Sequence, residues 1–587
     1  MCRIAGIVDS YHPPSAEMIL LMRDAMQHGG PDDAGIYCDA ELRLAFGFRR
    51  LSFQDLSPLG QQPMIDDAGE IVLMFNGEIY NFKELRQELL SLGYSFQSTG
   101  DTEVILKAYK AWGKECLTRF NGMFAIALLD KRTNTLLLAR DHAGIKPLYY
   151  FLNNNQIYFA SEIRAFKAVN PNWPENPNWK KYFLLFGHLP EPVTTLQGVV
   201  PLPKGTALEI QLDTFQILVW KFFQLHYNYS ITDSEEAIVK VREVLTKSVE
   251  RHLISDAPVG LFLSGGLDSS LLTVLAKRFI PNNLRTLSIT FEDKRYTEEH
   301  YQELVIKQTN AHHHSYVVSQ RDFQQSLPEI LNAMDQPSND GINSYFICKY
   351  AREYGLKAAL SGIGSDELFG GYPSFNRSRR LAKLSWIPRF MFHAARLSPD
   401  NRLKKISFLG EPSALGEYLF NRGFFTPKQV AELLDCTESE VNDCLISFQK
   451  RVPHFTKKLD PTERVSYLEN NFYLQNQLLK DTDFMSMWHG LEVRVPFLDK
   501  ELIELVYSIA PNIRYRPAQF KYLLVQAFID VLPEEIWNRT KQGFTFPFDD
   551  WMRHIDFNMN GEDKLKTQFL AGKIHWSRYW SYHLSKR

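Results

Sequence analysis

Cys2 would carry two reactive groups once Met1 is removed, as is usual before a small second residue: a thiol nucleophile and a free α-amine. An α-amine of pKa about 7.7–8.0 can accept the thiol's proton near neutrality, so no separate histidine is required. A cysteine in second position can be an accident of sequence, and its company has to decide. Further along, Val259-Gly260-Leu261-Phe262-Leu263-Ser264-Gly265-Gly266-Leu267-Asp268-Ser269-Ser270 passes from an apolar run into a helical pattern through glycines and serines. Glycines let successive backbone N–H groups converge on an anion, the helix adds its positive end, and the hydroxyls add donors. An isolated Gly-Gly pair is more often a tight turn, but Asp268 adds a second signal. A carboxylate beside a phosphate makes sense as a Mg²⁺ ligand, because the cation bridges both sets of oxygens. A second glycine-acid turn, Leu360-Ser361-Gly362-Ile363-Gly364-Ser365-Asp366-Glu367, follows a later apolar run. Loops at the carboxyl ends of neighbouring parallel strands share one crevice, where Asp366 would complete the magnesium site.

The string Ser264-Gly265-Gly266-Leu267-Asp268-Ser269 resembles the pyrophosphate loop of the ATP pyrophosphatase superfamily and lacks the Gly-Lys-Ser/Thr ending of a Walker A loop. Met1-Cys2-Arg3-Ile4-Ala5-Gly6-Ile7-Val8 resembles the start of the class II, N-terminal-nucleophile glutaminases. That likeness continues through Gly30-Pro31-Asp32-Asp33, Arg49-Arg50-Leu51-Ser52, Asn76-Gly77-Glu78-Ile79-Tyr80-Asn81 and Gly100-Asp101-Thr102-Glu103. With Leu360 to Tyr372, Asp483 to Asp499 and Arg539-Thr540-Lys541-Gln542-Gly543-Phe544, the chain from Cys2 to about Trp551 resembles the glutamine-hydrolysing asparagine synthetase family.

The resemblance implies Cys2, Asn76, Gly77 and Lys541 as catalytic residues, and glutamine binding by Arg50, Leu51, Asn76, Gly77, Glu78 and Asp101. It implies ATP binding by Leu263, Ser264, Gly265, Gly266, Asp268, Ser269, Ile289, Ser361 and Gly362, with Mg²⁺ on Asp268 and Asp366. Chemistry fits these roles. The Asn76 amide and the Gly77 N–H suit an oxyanion, Arg50 suits glutamine's carboxylate, and Asp101 with the Glu78 region suits its ammonium. A lysine suits charge building on a phosphate as AMP departs; Lys541 is the choice and Lys521 the weaker candidate. The implied reaction makes asparagine from aspartate, ATP and glutamine through β-aspartyl-AMP, with ammonia passed between two active sites. His142, beside Asp141, reads as half of a satisfied core pair.

The elements that must hold these residues are two different architectures. Apolar or alternating stretches at Ile4–Val8, Leu42–Gly47, Ile71–Phe75, Phe124–Leu129, Thr135–Arg140 and Ile157–Ala160 read as strands, with helical spacing at Phe82–Leu92 and Glu103–Trp112. The fold class is therefore α/β in two domains. Residues 1–210 form a glutaminase unit, for which the resemblance implies the αββα sandwich of the N-terminal-nucleophile hydrolases. The texture changes at Tyr227–Asp233, where Thr232-Asp233-Ser234-Glu235 reads as a capping box. Residues 230–587 then alternate apolar runs (Val259–Leu263, Leu287–Phe291, Ala358–Leu360) with helices, as a parallel sheet requires, and are mostly helical beyond Ser374. A chain of 587 residues exceeds one hydrophobic core. A formal net charge of -2 gives no global reason to seek nucleic acid. No apolar run approaches the ~18 residues of a membrane span, and sparse cysteines without CxxC spacing suit a reducing cytoplasm. A homodimer stays open.

Three positions depart from the family pattern. Arg3 stands where a small residue is usual, Gly29 where arginine is common, and Ile363 where some members carry an acid that takes a proton from the attacking ammonium. Rival readings are an amidotransferase acting on another carboxylate in glycan or secondary-metabolite synthesis, and a regulatory binder of glutamine or ATP. Intact Cys2, Asn76, Asp268, Asp366 and Lys541 count against the binder. The active protein should have the mass of the chain without Met1, and Cys2→Ala should abolish glutamine-dependent amide formation while ammonia still supports it. Intact-mass measurement and amide assays with each nitrogen source check this; retained Met1 in active protein contradicts it.

Overall fold

The computed structural model describes residues 2–384, 386–398, 400–411, 413–517, 519–540, 543, 545–555 and 564–587. The strands are β1 (Cys2–Asp9), β2 (Asp33–Asp39), β3 (Leu44–Arg50), β4 (Met64–Ile65), β5 (Ile71–Ile79), β6 (Gly122–Asp130), β7 (Thr135–Arg140), β8 (Tyr149–Leu152), β9 (Gln156–Ala160), β10 (Val199–Pro201), β11 (Thr206–Gln211) and β12 (Gln216–Lys221) in the first half. They form two antiparallel sheets, ordered β10-β8-β9-β1-β3-β2 and β12-β11-β7-β6-β5-β4. Between the sheets lie Cys2, Ile4 and Val8 of β1 with Val72, Met74, Ala125 and Ala127. The opposite face of β1 sends Ala5 and Ile7 against helical Ile19, Met22 and Phe166. Leu73 and Phe75 of β5 turn outward onto Phe82, Leu85 and Val104. The expected αββα sandwich is present, and because each sheet is covered on both faces its strands read as apolar runs instead of clean alternation.

Local chemistry shifted some edges. The strand expected at Leu42–Gly47 is Leu44–Arg50, because Asp39 Oδ1 accepts the Leu42 N–H at 3.1 Å and Arg43 turns through the left-handed region, φ 51°. The strand then runs on until Arg50 lies opposite Cys2. The second sheet also continues past residue 210, since β12 pairs with β11 from Gln216 to Lys221. The next helix is Ser234–His252, and its N-cap is Asp233, not Thr232. Asp233 Oδ1 accepts the Glu236 N–H at 2.8 Å, and a carboxylate suits the positive end of a helix.

The second half holds β13 (Val259–Phe262), β14 (Arg285–Thr290), β15 (His312–Val317), β16 (Ala358–Leu360) and β17 (Glu492–Arg494) in a parallel sheet ordered β15-β14-β13-β16-β17. Beyond Ser374 the pattern is helical as expected, apart from β17, whose three residues are too few to show a period. The halves share a core: Leu51, Met123, Ala143 and Ile145 belong to the same apolar cluster as Leu261, Leu263 and Leu498. Among the described residues no helix is long and apolar enough to cross a membrane.

Candidate active sites

The register of β1 against β3 sets the first site. Pairing Cys2 with Arg50 brings a thiol and a guanidinium together, and Asn76 of β5 closes on the same point. Cys2 N donates to Asn76 Oδ1 at 3.1 Å, and this nitrogen becomes the α-amine when Met1 is removed. Asn76 Nδ2 is then a buried donor with no partner among the described residues, which is what an oxyanion would use. Gly77 is required by close approach: a Cβ there would collide with the Met123 carbonyl on β6. Arg50 is held by the carbonyls of Asp55 at 2.5 Å and Ser57 at 3.2 Å, so its charge stays available for a carboxylate. Burial pushes the Cys2 thiol up, while the Leu51 N–H and Arg50 oppose that shift.

The acids of this site are buried. Glu78 accepts Gln54 Nε2 at 2.6 Å and lies 3.5 Å from Arg494 of the second half. Burial and then the Glu492 charge push Glu78 well above the carboxylate range, against Arg494. Asp101, which accepts the Ile79 N–H at 2.9 Å, is pushed to about 6 by burial. An ammonium ion beside them would draw both back to the charged form.

The second site is a cavity of about 1020 Å³ at the carboxyl ends of β13, β14 and β16. Of the residues implied for ATP binding, Leu263, Ser264, Gly266, Asp268, Ser269, Ile289, Ser361 and Gly362 line it. Gly265 does not: it makes the turn below the lining, φ 84°, and faces Tyr301 and Glu298. Ser264 Oγ and Ser269 Oγ lie 3.0 Å apart, and Gly266 N donates to Ser264 Oγ at 3.3 Å, so the loop is folded by its own hydroxyls. Asp268 accepts Ser365 Oγ at 2.7 Å. Lys521 Nζ sits 2.5 Å from both Asp268 and Asp366, joining the two glycine-acid turns. Burial alone would lower the Lys521 pKa, but Asp268 and Asp366 outweigh it and raise it. Glu367 is pushed to about 7 by burial and the Asp366 charge, opposed by the Tyr372 hydroxyl that donates to it at 2.7 Å.

Sequence comparison decides between families that share such parts. The asparagine synthase family matches residues 240–573 and the glutamine amidotransferase domain family residues 1–221. The chain is 32% identical, over 94% of its length and 88% of the relative's, to asparagine synthetase [glutamine-hydrolyzing] 1 of Bacillus subtilis. This chain belongs to the glutamine-hydrolysing asparagine synthetase family. A putative asparagine synthetase of Mycobacterium tuberculosis is 31% identical over 94% of this chain and 87% of its own. Another relative, amidase chry2 of Gibberella zeae, is 24% identical over 94% of this chain and 90% of its own.

In this member of the asparagine synthetase family the departures have visible places. Ile363 lines the cavity, and Arg3 is wholly buried beside Gly29. Lys541 lies outside the described residues, whereas its neighbours Arg539 and Thr540 line the cavity. Asp141 and His142 do not pair with each other. Asp141 accepts backbone N–H groups of Phe124, Ala143, Ile145 and Lys146, and His142 Nε2 bonds the Leu498 carbonyl at 2.8 Å. The sequence reading missed Asp340, Tyr473 and Asp481, which also line the cavity. Only the Asp481-Thr482-Asp483 spacing pointed their way.

A magnesium ion fits Asp268 and Asp366. Both are hard oxygen donors beside the Ser264–Ser269 loop, and between them they already hold the Lys521 ammonium, so their charges suit a cation. Removing the free donor tests the first site without touching the second. Asn76→Ala should lower glutaminase kcat by about 10²–10³-fold and leave ammonia-supported amide formation unchanged. Steady-state assays with both nitrogen sources read this, and an undiminished glutaminase rate would contradict the oxyanion role.

Proposed function

We propose that this chain is a glutamine-dependent synthetase that amidates aspartate to asparagine through β-aspartyl-AMP, and that it works in the cytoplasm. One observation carries the reading. Cys2 with Asn76 at one site and the Asp268–Lys521–Asp366 arrangement at the other belong to halves that share an apolar core. In this reading the Cys2 α-amine takes the thiol proton, sulfur attacks glutamine's amide carbon, and Asn76 Nδ2 with Gly77 N–H holds the oxyanion. The α-ammonium returns a proton to the leaving nitrogen, giving ammonia and a glutamyl thioester, which water hydrolyses to glutamate and free thiol. In this reading neutral ammonia passes between the sites through the seam where the two halves share an apolar core.

At the second site the Ser264–Ser269 loop binds the pyrophosphate portion of ATP while aspartate's side-chain oxygen displaces it from the α-phosphorus. A magnesium ion on Asp268 and Asp366 would supply charge neutralisation to those phosphates. Lys521, and Lys541 by the family likeness, meet the charge that builds as ammonia adds and AMP departs. Ile363 cannot accept a proton, so the adenylate's own phosphate or Glu367 must. Glu367, pushed up to about 7 by burial and the Asp366 charge, is suited to the task.

A second reading, another carboxylate as acceptor, is favoured by the lining. Its described cations, Lys521 and Arg539, are both already paired with acids, while Asp340 and Asp481 add further carboxyl groups, which burial pushes up. Aspartate brings a second carboxylate that needs a cation. Purified protein given glutamine, ATP and a panel of carboxylates should yield asparagine, AMP and pyrophosphate; AMP release with a different carboxylate and no asparagine would select the second reading.

Asp268→Asn and Asp366→Asn should each lower AMP and pyrophosphate formation by about 100-fold or more while leaving basal glutaminase turnover. ADP and phosphate as the wild-type products would overturn the pyrophosphatase mechanism. At constant free ammonia, amide formation should rise as pH increases through about 7, because Glu367 must lose its proton to act as a base. Glu367→Gln should flatten that limb, and Ile363→Glu should gain little.

A further inference from the structure

Arg3 follows the nucleophile, and by the strand's alternation its side chain leaves the opposite face of β1 from Cys2. It is fully buried. Nε donates to Glu162 at 2.6 Å and Nη1 to Asp483 at 2.8 Å. Glu162 belongs to the glutaminase half, just after β9. Asp483 belongs to the synthetase helix Leu479–Trp488, whose first turn gives Asp481 and Thr482 to the cavity wall. One side chain therefore ties the strand that carries the nucleophile to the helix that lines the second site.

Neutralising buried acid does not require this arginine. Asp483 also pairs with Lys146, and Glu162 with His28 at 2.9 Å and Arg164 at 2.8 Å. Arg3 Nη2 is moreover buried without a partner among the described residues, a cost that a purely cohesive contact would avoid. Gly29 lies against the same guanidinium: a Cβ on residue 29 would stand 2.7 Å from Arg3 Nε and 2.8 Å from its Cγ. Side chains at 3 and 29 compete for one space. The bare turn at residue 29 thus leaves the space that the Arg3 guanidinium fills from β1.

We propose that Arg3 is a positioning residue for nitrogen transfer: bridging Glu162 and Asp483, it holds the nucleophile strand in register with the synthetase cavity, so that ammonia freed at Cys2 is captured there. This rests on the amide-forming reading above. The test uses the full chain with Arg3→Met, which keeps an apolar stem, and the exchange Arg3→Ser with Gly29→Arg. Glutamate, amide and thermal midpoint are measured, with glutamine and then with ammonium as nitrogen source. In Arg3→Met, glutaminase turnover and ammonium-dependent amide formation should stay near the parent's, while amide formed per glutamate falls about fivefold or more, the scale of an energetic coupling between sites. The double exchange should restore the ratio. An unchanged ratio in Arg3→Met, a joint loss of every activity with a lowered midpoint, or no recovery in the double exchange would overturn the role of Arg3. Absence of amide from ammonium in the parent would instead overturn the synthetase function, and this proposal with it.

Discussion

Asp483, Asp499 and Arg494 of the synthetase half set their charges into the glutaminase half, where water cannot reach them. Asp483 takes Arg3 and Lys146, Asp499 takes the Asn121 amide at 3.1 Å, and Arg494 approaches Glu78 at 3.5 Å. A buried charge that loses its last partner typically costs about 3–5 kcal/mol, and Asp483 avoids that by holding Lys146 as well as Arg3. Such contacts have few alternative arrangements. The seam between the halves is fixed in one relation, and both sites inherit their geometry from it.

That relation explains why acids near the glutaminase site depend on residues hundreds of positions away. Glu78 lies where glutamine's ammonium is expected, yet its protonation is set by burial, by Glu492 and by Arg494. Arg494 is in turn anchored by the carbonyls of His252 at 2.8 Å and Ile254 at 2.6 Å. A change in the synthetase half that moves β17 would therefore alter the charge at Glu78.

The two sites treat their cations differently. Arg50 is held by carbonyls, which orient a guanidinium without cancelling it. Lys521 is held by Asp268 and Asp366, which cancel its charge. The first arrangement suits recognition of a carboxylate, and the second suits a polyphosphate arriving with its own metal.

Much of this was fixed by local sequence. Ser264-Gly265-Gly266-Leu267-Asp268-Ser269 is suited to a tight turn into a helix, because glycine takes the φ of 84° at residue 265 without the Cβ clash other residues meet. The apolar runs of β5, β6 and β7 and the helices from Phe82 and Asp101 follow from spacing alone, and the family motifs ordered them into two units. Tertiary structure decided what depends on partners far along the chain. No periodicity reveals that Lys521 reaches across to Asp268 and Asp366, that Asp340 and Asp481 meet in one cavity, or that Asp141 turns to backbone amides and away from His142. Arg3 and Gly29 were two unexplained departures in the sequence. Their competition for one space shows only when β1 and the 27–29 turn are packed together, since a shared volume is a property of space and not of spacing.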